Sequence, residues 1–460
     1  MLERERERER ERESKMDTRT SWTAVLLLLL SAAVAPALTQ GEALHEEHPE
    51  EGPPHPKEPT TETSADDCIP GASEHDLNVP ESSANLSSIT DFGLDLFREL
   101  YPYNTTERNF FFSPYSVWSA LSLAYFGSKG QTEEELAAAL GVTDKVTALK
   151  SWRALEFLYA MRQANKSSYT FNVANRAYFD ESVQLRPCIE QILTSELATV
   201  DFTKPDVAAA EINSFVSNTT KGRIQDLVTP AHVAGARMVL ANAAFFKGVW
   251  LYQFKKSATA KGLFYSSFED YTFVDMMRQK GNFRYGVSEE LGANILELPY
   301  DGEAVSMYIL LPPFVVGEDG FSAMVDRLSG PILHHALSNT WRTQMEVVIP
   351  KFRLEELVEN ELIEALRRMG VNDLFDPARA NLSTFTAAEQ VSVDKSVHKA
   401  FVEVSEEGTE AAAATALISW RIARPVGPTK FEANSPFLFL IYDNLTQNVL
   451  FMGAYKNPKA

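Results

Sequence analysis

The stretch SVHKAFVEVSEEGTEAAAATA, residues 396–416, decides the fold of this chain because it joins two segments of opposite preference. The alternation in its first half, up to Ser405, predicts a β-strand. Its second half, EEGTEAAAATA, has the composition of a good helix. A run of small, unbranched residues directly after a strand, with an apolar and basic tract behind it, therefore needs an explanation from the rest of the sequence.

The composition indicates a large globular protein with an acidic tail. The 460 residues are 45% hydrophobic and 23% charged, so the chain can bury a large core. The net charge of -20 is uneven, since residues 41–81 hold twelve acidic residues against one lysine. Such a Pro-rich acidic segment is predicted to be disordered. The charge distribution favours no nucleic-acid partner, which would be bound through Lys and Arg.

The N-terminal part of the chain predicts export. Residues 1–15 are a low-complexity Glu/Arg segment that precedes a second methionine, Met16, where we expect translation to begin. Residues 16–39 have the charged start, short apolar core and small residues of a secretory signal peptide. The apolar run is too short for a membrane span. Residues 40–87 form the acidic tail, and residues 88–460 are expected to form one secreted, extracellular domain.

The state of the cysteines and of the glycosylation sequons depends on whether the chain is exported. Cys68 and Cys188 could pair in an oxidising compartment and would otherwise remain free thiols. Six Asn-X-Ser/Thr sequons become candidate glycosylation sites if the chain is exported. They begin at Asn85, Asn104, Asn165, Asn218, Asn381 and Asn444.

The domain has helical patterns mainly in its first part and strand patterns mainly in its second. QTEEELAAALG and LEELVENELIEALRRMG have helical spacing and end at Gly141 and Gly370. MVLANAAFF, AVSMYILLP and QMEVVIP predict strands. PFLFLIYD and VLFMGAY flank NLTQN, which predicts a hairpin. Because regular βαβ alternation is missing, the predicted class is α+β, with large antiparallel or mixed sheets.

The sequence carries none of the familiar signatures of catalysis. No GxSxG, HExxH, P-loop or CxxC pattern is present. Four histidines of the acidic tail have neither cysteine partners nor ordered geometry, so we expect solvated side chains rather than a metal site. The sequence therefore predicts a protein that is not an enzyme, with no metal and no cofactor.

Four motifs resemble one family, the serpins, or serine protease inhibitors, over almost the whole domain. NFFFSPYSVWSALSLAYFGSKGQTEEEL resembles the helix pair near the centre of the serpin sheet, and VLANAAFFKGVW resembles the strand under its breach. SVHKAFVEVSEEGTEAAAATA resembles the hinge of inhibitory members, and PFLFLIYDNLTQNVLFMGAYKNP resembles the C-terminal signature. The order of the four motifs also agrees.

The resemblance implies a fold and a mechanism. The fold is three β-sheets with about nine helices and an exposed reactive loop at about residues 408–429. The mechanism is suicide inhibition: a protease serine attacks the loop, and the acyl-enzyme is trapped when the cut loop inserts as a new strand in the central sheet.

The small residues of the opening stretch suit that insertion. A segment that enters a packed sheet is penalised for bulky side chains and for proline, and residues 408–416 contain neither. By strand alternation, Thr409, Ala411, Ala413 and Thr415 would face one side of the sheet. The alternative is a short Ala-rich surface helix. The predicted hinge consists of Glu406, Glu407, Gly408, Thr409, Glu410, Ala411, Ala412, Ala413, Ala414, Thr415 and Ala416.

The resemblance also assigns positions beneath the insertion site. Ser113, Ser116, Asn242 and His398 match the family's shutter, where strands part to admit the loop, and Trp250 matches the breach at the top of the sheet. Polar shutter residues suit a buried hydrogen-bond network with two states. Ordinary core residues are the alternative, and for Trp250 a large packed aromatic is the simpler expectation.

The bond that the target cuts has two candidates. The family's usual spacing places Ile422 before the cut and Ala423 after it. A loop shorter by one residue would use Arg421, which an acidic trypsin-like specificity pocket prefers. We favour Arg421 and a trypsin-like target, with Ile422 and an elastase-like target as the alternative.

Three further expectations concern partners. A non-inhibitory carrier or storage serpin is the alternative function, although this hinge has none of the charged, bulky or proline residues that such members tend to carry. A monomer is expected. A polyanion could bind five cations near one helix, but a solvated helix face is favoured. These are Lys145, Lys150, Arg153, Arg162 and Lys166.

Overall fold

The computed structural model describes most of the predicted domain and one short segment before it. The Glu/Arg segment, the predicted signal peptide and most of the acidic tail lie outside the described residues. The described residues are 68–72, 87–101, 108–164, 169–315, 319–407 and 429–459.

Ten α-helices occur in these described ranges, close to the nine that the resemblance implies. They are α1 (Ser87–Leu100), α2 (Pro114–Gly127), α3 (Gly130–Leu140), α4 (Lys145–Ala164), α5 (Pro187–Ile192), α6 (Pro205–Thr219), α7 (Pro230–Val233), α8 (Gly320–Asp326), α9 (Gly330–Ser338) and α10 (Asn360–Arg368).

Helix α2 is the central helix of the molecule because every one of its residues is buried. Ser113 caps its N-terminus through the side-chain oxygen, and Pro114 follows in the first turn, where its missing N–H costs no hydrogen bond. A helix that is apolar all round must be enclosed by other elements. This one lies against α1, β2, β4 and β14.

Fourteen strands occur in the described residues. They are β1 (Phe110–Phe112), β2 (Tyr169–Asp180), β3 (Leu197–Val200), β4 (Met238–Gly248), β5 (Ala260–Tyr265), β6 (Tyr271–Ser288), β7 (Ala293–Pro299), β8 (Val305–Leu311), β9 (Trp341–Pro350), β10 (Phe352–Val358), β11 (Lys395–Val404), β12 (Thr429–Glu432), β13 (Phe437–Asp443) and β14 (Asn448–Tyr455).

These strands form two hydrogen-bonded networks. The central sheet has five strands in the order β10-β11-β4-β2-β3, and the second network has nine, with the path β1-β14-β13-β8-β7-β6-β9-β12 and β5 paired to β6. The 18-residue strand β6 pairs with β5 and β9 and, at its other end, with β7. It therefore joins into one network what the resemblance counts as two separate sheets.

The α+β class is confirmed, and so is the hairpin, since β13 and β14 pair antiparallel from Phe437 opposite Tyr455. One helix prediction is wrong in its first half. LEELV belongs to strand β10, and the helix begins only at Asn360. Tertiary pairing with β11 outweighs the helical propensity of these Leu and Glu residues.

The central sheet is covered on both faces, as the unbroken burial of β4 from Met238 to Phe246 indicates. One side belongs to the main core, which contains α2 and the second network. The other side packs against α6, where Ala241 and Ala243 of the sheet meet Ile212 and Val216 in a separate cluster. The same cluster contains Phe245 and Phe401, so this second face is packed as well.

Candidate functional site

The candidate site is the line between strands β4 and β11 in the middle of the central sheet. These two strands run parallel, with Lys395 opposite Val239 and Phe401 opposite Phe245. Their outer neighbours, β2 and β10, pair with them antiparallel. A parallel pair is slightly less stable per residue than an antiparallel one, so this line is a weak seam in the sheet.

A row of polar side chains crosses the seam. Asn175 of β2, Asn242 of β4 and His398 of β11 occupy directly opposed positions on three neighbouring strands. Directly opposed residues on neighbouring strands point to the same face of a sheet. On that face they meet Ser113 and Ser116 at the beginning of α2.

Hydrogen bonds connect the row to the helix. The Ser113 N–H donates to His398 Nε2 at 3.0 Å, and His398 Nδ1 donates to Asn242 Oδ1. Asn242 Nδ2 donates to the Ser116 carbonyl oxygen at 2.8 Å, and Ser113 Oγ donates to the Leu450 carbonyl oxygen at 2.6 Å. The cluster thus links β4, β11, α2 and β14, and separation of the two strands would break the bond between Asn242 and His398.

His398 is neutral in this arrangement. Its side chain is fully buried, and this burial lowers the pKa of the imidazole to about 3. An acceptor at Nε2 and a donor at Nδ1 are the pattern of one neutral tautomer. Protonation would put a second N–H against the Ser113 N–H, so the network stays intact only while the ring is uncharged.

The predicted shutter residues therefore lie in one connected cluster, and sequence reasoning missed its fifth member. Asn175 Nδ2 donates to the Ser116 carbonyl oxygen at 3.2 Å, and Asn175 Oδ1 accepts a hydrogen bond from Asn242 Nδ2. A polar residue in the middle of the apolar strand YTFNVANRAYF was the available signal. Only the pairing of β2 with β4 shows that it belongs here.

Trp250 lies at the end of β4, beside the end of β11. Its ring stacks on Tyr300 with centroids 4.4 Å apart, and its Nε1–H donates to the Ser405 carbonyl oxygen at 2.8 Å. Its backbone N–H donates to the Glu407 carbonyl oxygen. Trp250, the predicted breach residue, therefore does more than fill the core. Its two hydrogen bonds hold Ser405 and Glu407, at the start of the hinge, in place.

Glu406 anchors the start of the hinge. Thr259 Oγ1 donates to Glu406 Oε1 at 2.9 Å, and Lys351 Nζ donates to Oε2 at 2.9 Å. Burial alone would raise the pKa of this carboxyl, but the Lys351 and Thr259 hydrogen bonds bring it below its ordinary value. Glu407 pairs with the exposed Lys256. Sequence reasoning missed Lys351, which lies between strands β9 and β10.

The remainder of the hinge, Gly408 to Ala416, and the candidate bond residues Arg421, Ile422 and Ala423 lie outside the described residues. Their roles stay predictions. The described chain ends at Glu407 directly after β11 and begins again at Thr429, the first residue of β12.

The two cysteines form a disulfide. Cys68 and Cys188 are joined with their Cα atoms 5.8 Å apart, so the short segment before the domain is tied to α5. Of the three described sequons, Asn218 and Asn381 are exposed. Asn444 is half-buried, and its Nδ2 donates to the Glu303 carbonyl oxygen and to Ser306 Oγ. Asn85, Asn104 and Asn165 are outside the described residues.

The structure contradicts the predicted solvated face of α4 at three of its cations, each of which pairs with a carboxylate. Lys145 is buried and pairs with Glu133, and Arg162 bonds the fully buried Asp443 at 2.6 Å. Arg153 bonds Glu196 at 2.9 Å. Arg153 and Arg162 are directed inward because the buried carboxylates of Glu196 and Asp443 need a counter-charge, and Lys145 also donates to the Ser128 carbonyl oxygen. Lys166 lies outside the described residues.

The described ranges hold neither a candidate membrane-spanning helix nor a candidate metal site. No helix there is long and apolar enough to cross a membrane. No group of three or more His, Cys, Asp or Glu side chains in the same ranges could hold a metal ion.

Comparison with known proteins gives a consistent result. Residues 87–458 match the family model described as Serpin (serine protease inhibitor). The chain is 37% identical over 375 residues to Serine protease inhibitor 88Ea of Drosophila melanogaster. The alignment covers 77% of this chain and 87% of the relative. It is 36% identical over 386 residues to human Leukocyte elastase inhibitor, covering 82% of this chain and 99% of the relative.

Solved structures agree with the sequence relatives. Uncleaved ovalbumin aligns with a TM-score of 0.69 at 28% identity, covering 82% of this chain and all of that one. Native protease nexin-1 with heparin aligns with a TM-score of 0.70 at 29% identity, covering 81% of this chain and 99% of that one.

Proposed function

Since this chain belongs to the serpin family, we propose that it traps a serine protease covalently by inserting its cut reactive loop between β4 and β11. The observation that carries the proposal is the seam itself. The hinge leaves the end of β11, and the neighbouring strand across the seam runs parallel to β11. A loop that turned back from β11 into the seam would therefore run antiparallel to both neighbours.

The chemistry of the trap is provided by the protease. Its serine oxygen bonds the carbonyl carbon of the residue before the cut, and the amine of the next residue leaves with a proton. The acyl-enzyme then persists if the loop inserts faster than water attacks the ester. Insertion exchanges one parallel ladder for two antiparallel ones, and this gain in hydrogen bonds drives the movement.

The shutter cluster sets an energy barrier to the opening of the seam. Opening of the seam breaks the bond between Asn242 and His398, whose buried polar groups must then find new partners. A new strand in the seam must also carry small side chains on the face that packs against α6, because the cluster on that face is already filled, with Phe245 and Phe401 on the two strands of the seam. The alternating Thr and Ala residues of the hinge, Thr409 to Thr415, fit this requirement.

We infer a trypsin-like target cut after Arg421. An exposed arginine suits an acidic specificity pocket. The alternative, an elastase-like enzyme cutting after Ile422, is supported by the family's spacing and by relatives named Leukocyte elastase inhibitor.

The protein is further proposed to be secreted as a monomer. The signal-like residues 16–39 support export. The Cys68–Cys188 disulfide also supports it, since disulfides persist in oxidising compartments.

Incubation with trypsin and with elastase tests both parts of the proposal. We expect a complex with trypsin that resists SDS, and a released C-terminal fragment whose mass shows Ile422 as its first residue. A fragment that begins at Ala423 would instead show that the protease cuts after Ile422. Arg421→Ala is the matched variant and should lose the trypsin complex. Cleavage by every protease tried, with no complex, would contradict the trap and favour the carrier alternative.

A further inference from the structure

Tyr271 lies at an exposed turn of the second strand network. It is the first residue of β6 and lies opposite Tyr265, the last residue of β5. Only two of the tyrosines that the structure describes are exposed, Tyr252 at 50% and Tyr271 at 56%. The others in the described ranges are buried or half-buried. The ring of Tyr271 is therefore one of two in these ranges that a modifying enzyme can readily reach.

The turn before Tyr271 is closed by a single serine. Ser267 Oγ accepts hydrogen bonds from the backbone N–H groups of Glu269, at 3.3 Å, and of Asp270, at 3.0 Å. The Ser267 N–H donates to the Asp270 carbonyl oxygen at 3.2 Å. Two acidic residues are thereby held directly before the tyrosine, and Glu269 is exposed.

The sequence around Tyr271 is acidic on both sides. Residues 266–276, SSFEDYTFVDM, contain Glu269, Asp270 and Asp275 and no lysine or arginine. The same window around Tyr252, residues 247–257 (KGVWLYQFKKS), contains three lysines and no acidic residue. The two exposed tyrosines therefore present opposite charges to an enzyme that binds the chain beside them.

Two lysines contact these carboxylates from other parts of the chain. Lys459 pairs with Asp270, and Lys261 pairs with Asp275 at 3.0 Å. Both lysines are at least half exposed, at 50% and 64%. Exposed ion pairs contribute little free energy, so a basic enzyme surface can replace either lysine at low cost.

The strand that carries Tyr271 also has an open edge. Its ladder with β5 covers residues 271–276, whereas its ladder with β9 begins only at Met276. Among the described strands, none pairs with the second edge of residues 271–274. Side chains alternate along a strand, so the exposed Tyr271, Phe273 and Asp275 face the same side. An enzyme can bind such an edge as an added strand and take the Tyr271 ring into its active site.

We propose that Tyr271 is a tyrosine sulfation site. Enzymes that sulfate exported proteins act on exposed tyrosines with acidic flanks, because basic groups around their active sites bind those flanks. The sulfuryl donor is a nucleotide phosphosulfate. The Tyr271 phenol oxygen bonds the sulfur while the bond from sulfur to the donor's phosphate oxygen breaks. The phenol proton goes to a base of the enzyme, and the nucleotide leaves as a bisphosphate.

This modification belongs to the secretory pathway, so the inference rests on the proposed export. The sulfate ester adds a negative charge beside Glu269, on a face that also exposes Phe273. Tyr252, which is flanked by lysines, stays unmodified.

Metabolic labelling with radioactive sulfate tests the site. The full chain is produced in insect cells in two forms, one with its own N-terminus and one in which the signal peptide of an unrelated secreted protein replaces residues 1–39. Glycans are removed, and the label on tyrosine is measured after alkaline hydrolysis. Mass spectrometry of the peptide that contains Tyr271 locates the sulfate.

We expect labelled tyrosine in the secreted chain, no label in Tyr271→Phe and unchanged label in the matched control Tyr252→Phe. Glu269→Gln should lower the label by about threefold or more, since it removes the exposed carboxylate that the enzyme binds. A secreted chain without labelled tyrosine, a sulfate located elsewhere, or full label in Glu269→Gln would overturn the inference. If only the form with the unrelated signal peptide reaches the medium, the proposed export fails, while that form still decides whether Tyr271 is sulfated.

Discussion

His398 makes the closed sheet sensitive to acid. Its imidazole has a pKa of about 3 in the folded chain, below the ordinary value of about 6.5 in an unfolded chain. Between these values the unfolded state binds a proton that the native state does not, so acid favours unfolding. The contribution of His398 is complete above pH 6.5 and is lost as the pH falls toward 3.

The first prediction concerns this pH dependence. From pH 7.5 to pH 5, His398 alone should lower the free energy of unfolding by about 2 kcal/mol. The measurement is the first urea unfolding transition at both pH values. In His398→Gln this part of the difference should disappear, even if the variant is less stable throughout. Other groups titrate equally in both proteins, so an unchanged difference in His398→Gln and His398→Asn would count against a buried neutral imidazole.

The second prediction concerns glycosylation, and it assumes export. A glycan on Asn444 would displace the hydrogen bonds that its Nδ2 donates to Glu303 and Ser306. Asn218 and Asn381 are exposed. In protein secreted from insect cells, peptide mass spectrometry should find glycans on Asn218 and Asn381 and none on Asn444. Asn444→Gln should leave the glycan mass unchanged, whereas an occupied Asn444 would refute the assignment.

The residues of the site could be predicted only where a motif carried them. Ser113, Ser116, Asn242 and His398 were found because they lie in stretches that resemble a known family. Asn175 has no such motif, and its role depends on the pairing of β2 with β4, where its partner Asn242 is 67 residues away in sequence, which local pattern does not reveal. Lys351 was missed for the same reason, because its partner Glu406 is brought to it by tertiary structure.

At the scale of elements, the end of β11 is held by backbone and side-chain hydrogen bonds from its surroundings. Trp250 and Phe254 donate backbone hydrogen bonds to the carbonyl oxygens of Glu407 and Glu406. The Glu406 carboxylate, 7% exposed, adds the bonds from Thr259 and Lys351. These contacts fix Glu406 and Glu407, the first two residues of the predicted hinge, at the end of β11.

The third prediction follows from this anchor. Glu406→Gln keeps the size of the side chain but removes the charge that pairs with Lys351, which should cost about 1 kcal/mol. The end of β11 should then detach more readily, and the chain should lose inhibitory activity faster on warming. The rate of that loss at a fixed temperature is the measurement.

Glu407→Gln is the matched control for this anchor. Its partner Lys256 is 71% exposed, and exposed ion pairs contribute little. We therefore expect inactivation close to that of the unmodified chain. Equal acceleration by the two substitutions would show that the buried Glu406 pair has no special part in holding the hinge.

Elements were predictable where local chemistry determines them. The turn NLTQN places β13 beside β14, and the apolar run of MVLANAAFF is a buried strand. The LEELV segment was misassigned because its pairing with β11 outweighs its helical composition. The parallel contact between β4 and β11 joins segments more than 150 residues apart, and a local pattern cannot predict which distant strands become neighbours.

At the scale of the whole molecule, the five-stranded central sheet would gain hydrogen bonds if a further strand entered its seam. Its seam pairs β4 with β11 over residues 395–401 only, with polar groups at the centre. A strand of residues 408–416 inserted there would form ladders on both sides. Each added hydrogen bond contributes about 1 kcal/mol, so roughly ten of them stabilise the molecule by about 10 kcal/mol.

The fourth prediction is that cleavage of the loop raises thermal stability. A metalloprotease, which forms no acyl-enzyme and so is not trapped, should cut the loop, and the midpoint of unfolding of the cleaved chain should rise by more than about 10 °C, because stability of this size shifts the midpoint of a large domain by that much. Circular dichroism on intact and cleaved protein measures it. Thr409→Arg is the control, since a long charged side chain at a position expected to face the packed side of the sheet should block insertion. Cleaved Thr409→Arg should therefore keep the midpoint of the intact chain. A cleaved chain with unmodified hinge and an unchanged midpoint would mean that the seam does not accept the loop, which would leave the fold intact and remove the trap.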